Sequence, residues 1–214
     1  MGKVRNNDAT HSEIADVVNL TLDGVDCFML HETVSTIKVI EFLNSTIMEA
    51  EEMVDYQNLH RLLMTQASIS SISMVKRDYT NVMAIMACNA AMKNNANAII
   101  ALTETGKTAI MLSKYRPECP IIAVTSSSVV ARNCLLLRGV LSLNVNLVET
   151  DTYERSIEMQ TKAAISFIEA NHLNKTLTGV AILVMGQRTG SEKLNTIRII
   201  PLQYENSMND DLKQ

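Results

Sequence analysis

The sequence predicts an α/β fold in which a mostly parallel sheet carries helices on both faces, and three observations predict it. Short apolar runs, Ala98–Leu102, Pro120–Val124 and Gly179–Met185, have the length of strands and lack the polar alternation of a half-exposed sheet. Stretches of helical period separate these runs, so strand and helix alternate through short connections, which is the pattern of parallel sheets. The interior is supplied by Ile, Val, Ala and 13 Met, with 3 Phe, 5 Tyr and no Trp. Slim β-branched side chains of this kind suit strands enclosed between two layers of helix.

Taken in order, His11–Leu22 places Ile14, Val17, Val18 and Thr21 on one helical face, with Ser12 as N-cap and Gly24 closing the turn. Asp26–Leu30 reads as a short buried strand, and Thr33 to about Val54 returns to a helical period through Ile37, Ile40, Leu43, Ile47 and Ala50. One strand cannot make a sheet, so this helix, strand and helix form a piece of an α/β architecture. Residues Asp55–Asp78 are polar and mixed, and read as a connection carrying a short helix. Regular alternation then begins: helix Thr80–Lys93, strand Ala98–Leu102, helix Thr108–Lys114, strand Pro120–Val124, helix Ser127–Leu136 and strand Gly139–Leu143. A long helix, about Thr152–Asn171, leads to strands Gly179–Met185 and Asn195–Ile200 around a loop at Gly186–Lys193. The domain division that follows is 1–54, a connection 55–78, and an α/β domain 79–214.

Charge and composition exclude several classes. A net charge of -4, without a basic stripe or aromatic ladder, gives no reason to expect nucleic acid. The apolar runs are too short to span a membrane, and Met1–Thr10 lacks the apolar core of a signal peptide. Cys27, Cys88, Cys119 and Cys134 form no CxxC pair, which points to buried free thiols in a reducing compartment and hence to a cytoplasmic protein. His11, His31, His60 and His172 are scattered, without a partner at ligand spacing, and Glu49, Glu51 and Glu52 read as a solvated helix end. No nucleophile stands near a base, and no catalytic residue is assigned.

Two segments bear on ligand chemistry. Thr103-Glu104-Thr105-Gly106-Lys107-Thr108 follows a strand and opens a helix. Its hydroxyls, glycine, lysine and helix-start amides suit an anion nest, while Thr and Gly at a helix start also serve as plain caps. It is not a Walker A loop, which needs a longer Gly-rich stretch ending in Gly-Lys-Ser/Thr. The second is Gly186-Gln187-Arg188-Thr189-Gly190-Ser191, where Arg188 offers a planar fork to a phosphate, or where an ordinary hairpin carries a solvated Arg. Both lie beyond strands, where open α/β sheets tend to place ligands.

From about Ala9 to Pro201 the order and wording of the segments resemble pyruvate kinase. Ala9-Thr10-His11-Ser12-Glu13 is similar to that family's Pro-Thr-Arg-Ala-Glu, and Leu22-Asp23-Gly24-Val25-Asp26-Cys27-Phe28-Met29-Leu30 to its Leu-Asp-Gly-Ala-Asp-Cys-Val-Met-Leu. Leu102-Thr103-Glu104-Thr105-Gly106-Lys107-Thr108-Ala109 resembles Leu-Thr-Glu-Ser-Gly-Arg-Ser-Ala, and Tyr115-Arg116-Pro117 with Pro120–Thr125 resembles Tyr-Arg-Pro…Pro-Ile-Ile-Ala-Val-Thr. Gly186–Ser191 with Asn195–Arg198 is similar to Gly-Trp-Arg-Pro-Gly-Ser…Asn-Thr-Met-Arg.

The resemblance implies that residues 9 to about 54 are the last helix, strand and helix of a catalytic (β/α)8 barrel, and that residues from about 79 form the regulatory and assembly domain. It implies phosphoryl transfer from phosphoenolpyruvate to ADP, with Mg2+ and K+, in the full-length enzyme. The family's positions for these lie upstream of Met1, so no catalytic or metal residue is carried over, and the chain alone is expected to be inactive. The family's Ser-Gly-Glu-Thr-Ala-Lys-Gly is reduced here to His31-Glu32-Thr33-Val34. What carries over is a site for a sugar-bisphosphate effector, made of Thr103, Thr105, Gly106, Lys107 and Thr108 with Arg188, Gly190 and Ser191. Gln187, Thr189 and Glu192 depart from the family's Trp, Pro and Gly, and Glu104 with Glu192 opposes an anion. The other reading is a non-catalytic subunit that assembles with itself or with pyruvate kinase subunits.

Overall fold

A computed structural model of the protein describes residues 10–31, 37–73, 79–146, 152–173, 178–186 and 194–203. The chain divides into two units, Met1–Asn58 and Leu59–Gln214.

In the first unit, α1 (His11–Leu22) begins with a capping box. Thr10 Oγ1 accepts from the Glu13 amide (3.3 Å), and Glu13 Oε2 accepts from the Thr10 amide (3.0 Å), so two amides at the helix start are satisfied reciprocally. The N-cap is therefore Thr10, and Ser12, expected to fill that role, lies inside the helix: only Thr10 has a Glu three residues on to complete the box. The bonds from Thr10 hold the Glu13 carboxyl below its usual range. Gly24 closes the turn with φ +83, and α2 (Ile37–Glu51) packs on α1.

Asp26–Leu30 is not a strand. No strand among the described residues pairs with it, and Met29 stands 97% exposed where a buried strand was expected. Cys27 is likewise exposed, so the expectation of four buried thiols holds for Cys88, Cys119 and Cys134 alone. Val17, Leu20, Phe28, Met29 and Leu30 line an open groove in this unit.

The expected connection is an 18-residue helix, α3 (Tyr56–Ser73), rather than a short one. The stretch holds no Gly or Pro, and Asp55 caps it by accepting from the Asn58 amide at 3.0 Å. Within the second unit α3 is secured by a buried imidazole. His60 Nε2 lies 2.9 Å from Asn89 Oδ1, and its Nδ1 lies 3.4 Å from the Tyr115 carbonyl. The Tyr115 hydroxyl donates to Asn81 Oδ1 at 2.6 Å.

Five further helical and strand elements follow the expected alternation closely: α4 (Tyr79–Lys93), β1 (Ala98–Leu102), α5 (Lys107–Ser113), β2 (Ile121–Thr125) and α6 (Ser128–Cys134). They continue as β3 (Val140–Asn144), α7 (Tyr153–Ala170), β4 (Thr178–Gly186) and β5 (Leu194–Gln203). The strands form one sheet in the order β3-β2-β1-β4-β5, in which only β5 is antiparallel to its neighbour. The predicted class, a mostly parallel sheet between helical layers, is what the chain builds.

Strand alternation explains the two cores. Ile99, Ala101, Ile121, Ala123, Ile182 and Val184 point to one face and pack with α4, α5 and α6. Ala98, Ile100, Ile122, Val124, Ala181 and Leu183 point to the other, against Ile157, Ala164 and Ile168 of α7. Both faces are buried, which is why these strands read as unbroken apolar runs.

Asn97 locks the start of the sheet. Its Oδ1 accepts from the Val180 amide (3.0 Å) and its Nδ2 donates to the Leu173 carbonyl (3.5 Å), with 1% of the residue exposed. A Cβ on Gly179 would stand 2.6 Å from Asn97 Oδ1, so this close approach requires glycine. Asn97→Ala leaves the half-buried Val180 amide without that acceptor and is expected to destabilise the fold by about 1–3 kcal/mol. Denaturant unfolding of the variant checks this, and an unchanged midpoint would show that the Asn97 bond contributes nothing.

Candidate functional site

Chain order and sheet order together single out one position. From β1 the chain steps outward to β2 and β3, with α5 and α6 on one face. It then crosses by α7 on the opposite face to β4, on the other side of β1. The direction of winding reverses between β1 and β4, and open α/β sheets tend to place ligands outside the carboxyl ends of the strands at such a point.

On one side of that point is the turn after β1. The Thr103 amide continues the ladder to the Val124 carbonyl (3.0 Å), and Thr103 Oγ1 accepts from the Gly106 amide (2.9 Å). Thr105 Oγ1 lies 3.5 Å from the Lys107 amide. Gly106, at φ +83, is the N-cap of α5 and has no side chain to offer the amides of the first helical turn. The N-caps Thr10, Ser127 and Thr152 of other helices each accept such a bond. Lys107, Glu104 and Thr105 are exposed, whereas Thr103 and Thr108 are buried. Two hydroxyls thus brace the turn, as the capping reading expects, and Lys107 stands exposed at its end.

On the other side is the exit of β4. The β1–β4 pairing ends at Ala101↔Val184, two residues before Thr103 on one strand and two before Gly186 on the other. The pairing with β5 shifts here, from Met185↔Thr196 to Gly186↔Leu194, so that one residue of β5 is left over in a bulge. Arg188, Gly190 and Ser191 lie outside the described residues. The described strands root their loop at Gly186 and Leu194, next to the Thr103 turn.

Sequence reasoning missed Tyr153, the first residue of α7. Its ring packs against the core on the α7 face, and its hydroxyl donates to the Gly186 carbonyl. Burial pushes its phenol up, with Arg198 opposing that shift and Glu104 adding to it. No local signal marks Tyr153, because its contact arises only once α7 has crossed the sheet.

Among the described residues no group of three or more His, Cys, Asp or Glu is gathered to hold a metal. No described helix is long and apolar enough to cross a membrane.

Gly106→Ala tests the turn. A side chain at this φ costs about 1–2 kcal/mol, and its Cβ would press on Cys134 Sγ at 3.3 Å. The variant is expected to unfold at lower denaturant, and wild-type stability would exclude a left-handed Gly106.

A family model for the pyruvate kinase alpha/beta domain matches residues 81–200. The chain is similar to pyruvate kinase of Debaryomyces hansenii, with 32% identity over 196 residues, covering 89% of this chain and 37% of that protein. It is also similar to pyruvate kinase PKLR of Homo sapiens, 36% identical over 203 residues, covering 90% of this chain and 33% of that protein. Pyruvate kinase of Dictyostelium discoideum is 34% identical over 207 residues, covering 92% of this chain and 38% of that protein. The chain thus spans little more than a third of the length of the curated relatives it matches.

Proposed function

The chain belongs to the pyruvate kinase family, and we propose that its part in phosphoryl transfer from phosphoenolpyruvate to ADP is regulatory. On this reading the site at the exits of β1 and β4 takes the phosphates of a sugar bisphosphate, and these 214 residues alone transfer no phosphoryl group. The observation that carries the reading is position: the Thr103–Thr108 turn and the root of the Gly186 loop flank the point where the sheet reverses its winding.

The chemistry follows from the groups present. Lys107 supplies a compact charge, the first-turn amides of α5 supply oriented dipoles, and Thr103, Thr105 and Thr108 supply hydroxyls. Gly106 lets the backbone approach a phosphate without a side chain between. Arg188, Gly190 and Ser191, from the loop joining β4 to β5, would close over a second phosphate, with Arg188 as a bidentate fork. Glu104 and Glu192 oppose both, so binding is weak.

Calorimetry with fructose 1,6-bisphosphate on this chain tests the reading. The expected dissociation constant is roughly 0.1–1 mM. Lys107→Ala should weaken binding about tenfold, the worth of a charge-assisted contact, and Glu104→Gln should tighten it. Sub-micromolar binding, or binding indifferent to Lys107, would defeat the proposal.

A second reading, assembly as a non-catalytic subunit with itself or with pyruvate kinase subunits, is favoured by β5. This last strand of the sheet runs ten residues and exposes Ile199, and an edge of that kind invites another strand. Sedimentation velocity of wild type against Ile199→Lys reads it directly. Loss of a larger species in the variant is expected, and identical profiles would remove β5 as an assembly edge.

A further inference from the structure

We propose that Tyr153 is a positioning residue of the β1–β4 site, whose hydroxyl tunes phosphate affinity by holding the exit of β4 through the Gly186 carbonyl, an inference that rests on the phosphate reading above. Three observations on the described residues converge on it.

First, Gly186 is where the β4–β5 pairing slips. At a bulge the ladder is locally disrupted, and a carbonyl there needs a partner from elsewhere. The Tyr153 hydroxyl provides one by donating to the Gly186 oxygen. Second, the phenol can do this reproducibly because its ring is set into the core on the α7 face, and because α7 starts there. Thr152 caps that helix by accepting from the Arg155 amide. Third, the parallel β1–β4 pairing ends at Ala101↔Val184, two residues before Thr103 on one strand and two before Gly186 on the other, and the Thr103 hydroxyl braces Gly106. The hydroxyls of Tyr153 and Thr103 therefore brace the exits of the adjacent strands β4 and β1. Glu104 and Arg198 both act on the Tyr153 phenol, which locates it within reach of the charges an incoming anion would meet.

A tyrosine that merely filled space would be replaced without consequence by phenylalanine, which keeps the ring and removes only the oxygen. A positioning tyrosine would not, because the exit of β4 would lose its partner and the site would hold its ligand less firmly. No covalent or redox step is involved.

The test uses the full chain, Tyr153→Phe, and fructose 1,6-bisphosphate as probe, with inorganic phosphate as a second probe. Calorimetry is expected to show roughly fivefold weaker binding in the variant, the worth of one neutral hydrogen bond, with the variant still folded. In protein carrying 3-fluorotyrosine, the 19F resonance that the variant lacks is expected to shift on titration, with the same midpoint as the calorimetric curve. A space-filling role would leave that signal still. Equal affinity in the two proteins, or a Tyr153 resonance that ignores saturating probe, overturns this inference alone. Absence of saturable binding to the wild type overturns the phosphate reading and this inference with it. Should the variant fail to fold, the fluorine titration of the native residue decides.

Discussion

Everything in the second unit depends on one constraint: β1 has neighbours on both edges and helices on both faces. Its five residues are buried or nearly so, and every amide and carbonyl must therefore find a partner within the sheet. Parallel pairing with β2 on one side and β4 on the other meets that demand. Those pairings require two crossovers to pass on opposite faces, α5 on one and α7 on the other. Once this is so, the reversal of winding between β1 and β4 is unavoidable, and their connections part at that point. The candidate site is thus a consequence of how β1 is buried.

The same burial sets what can line the candidate site. Ala84, Ala87, Cys88 and Ala91 let α4 lie close to the sheet, and burial pushes the Cys88 thiol up, which keeps it protonated and inert. Toward the carboxyl edge the strands run out of ladder partners, and side chains take over. Thr103 serves Gly106, Ser127 serves Val130 at 3.4 Å, and Tyr153 serves Gly186. Each local substitute for a ladder bond stiffens a segment that would otherwise fray. A ligand meeting such an edge finds groups already placed, which lowers the ordering cost of binding.

How much of this was legible follows the range of the interaction concerned. The strands were legible because burial on both faces leaves a local imprint, an unbroken run such as Ala98–Leu102. The Thr103–Thr108 turn was legible because Gly and Thr at a helix start are local signals too. Asp26–Leu30 misled for the converse reason: an apolar run states only that a strand is possible, and a strand exists only where another lies beside it. The length of α3 was missed because its anchor, His60, acts through Asn89 and Tyr115, far along the chain. Asp55, three residues before Asn58, was the local cue that would have found its start. Tyr153 offered no cue, since its partner is 33 residues distant and the meeting is set by the crossing of α7.

Electrostatics decides how strongly such an edge can hold an anion. Oriented amides at the start of α5 favour negative charge, but α5 is only seven residues long, and the field of a helix end is felt within about one turn. Lys107 adds a full charge and Glu104 subtracts one within the same exposed turn. At an exposed turn, water and salt screen both, so neither can dominate by more than a few kcal/mol. On the proposed reading, this turn would hold an anion with its charge nearly cancelled. What then separates binding from indifference is the smaller, less screened contribution of fixed neutral donors and of the walls that hold them in place. That is the scale on which one half-buried hydroxyl, set against the carbonyl of Gly186, matters as much as a surface charge.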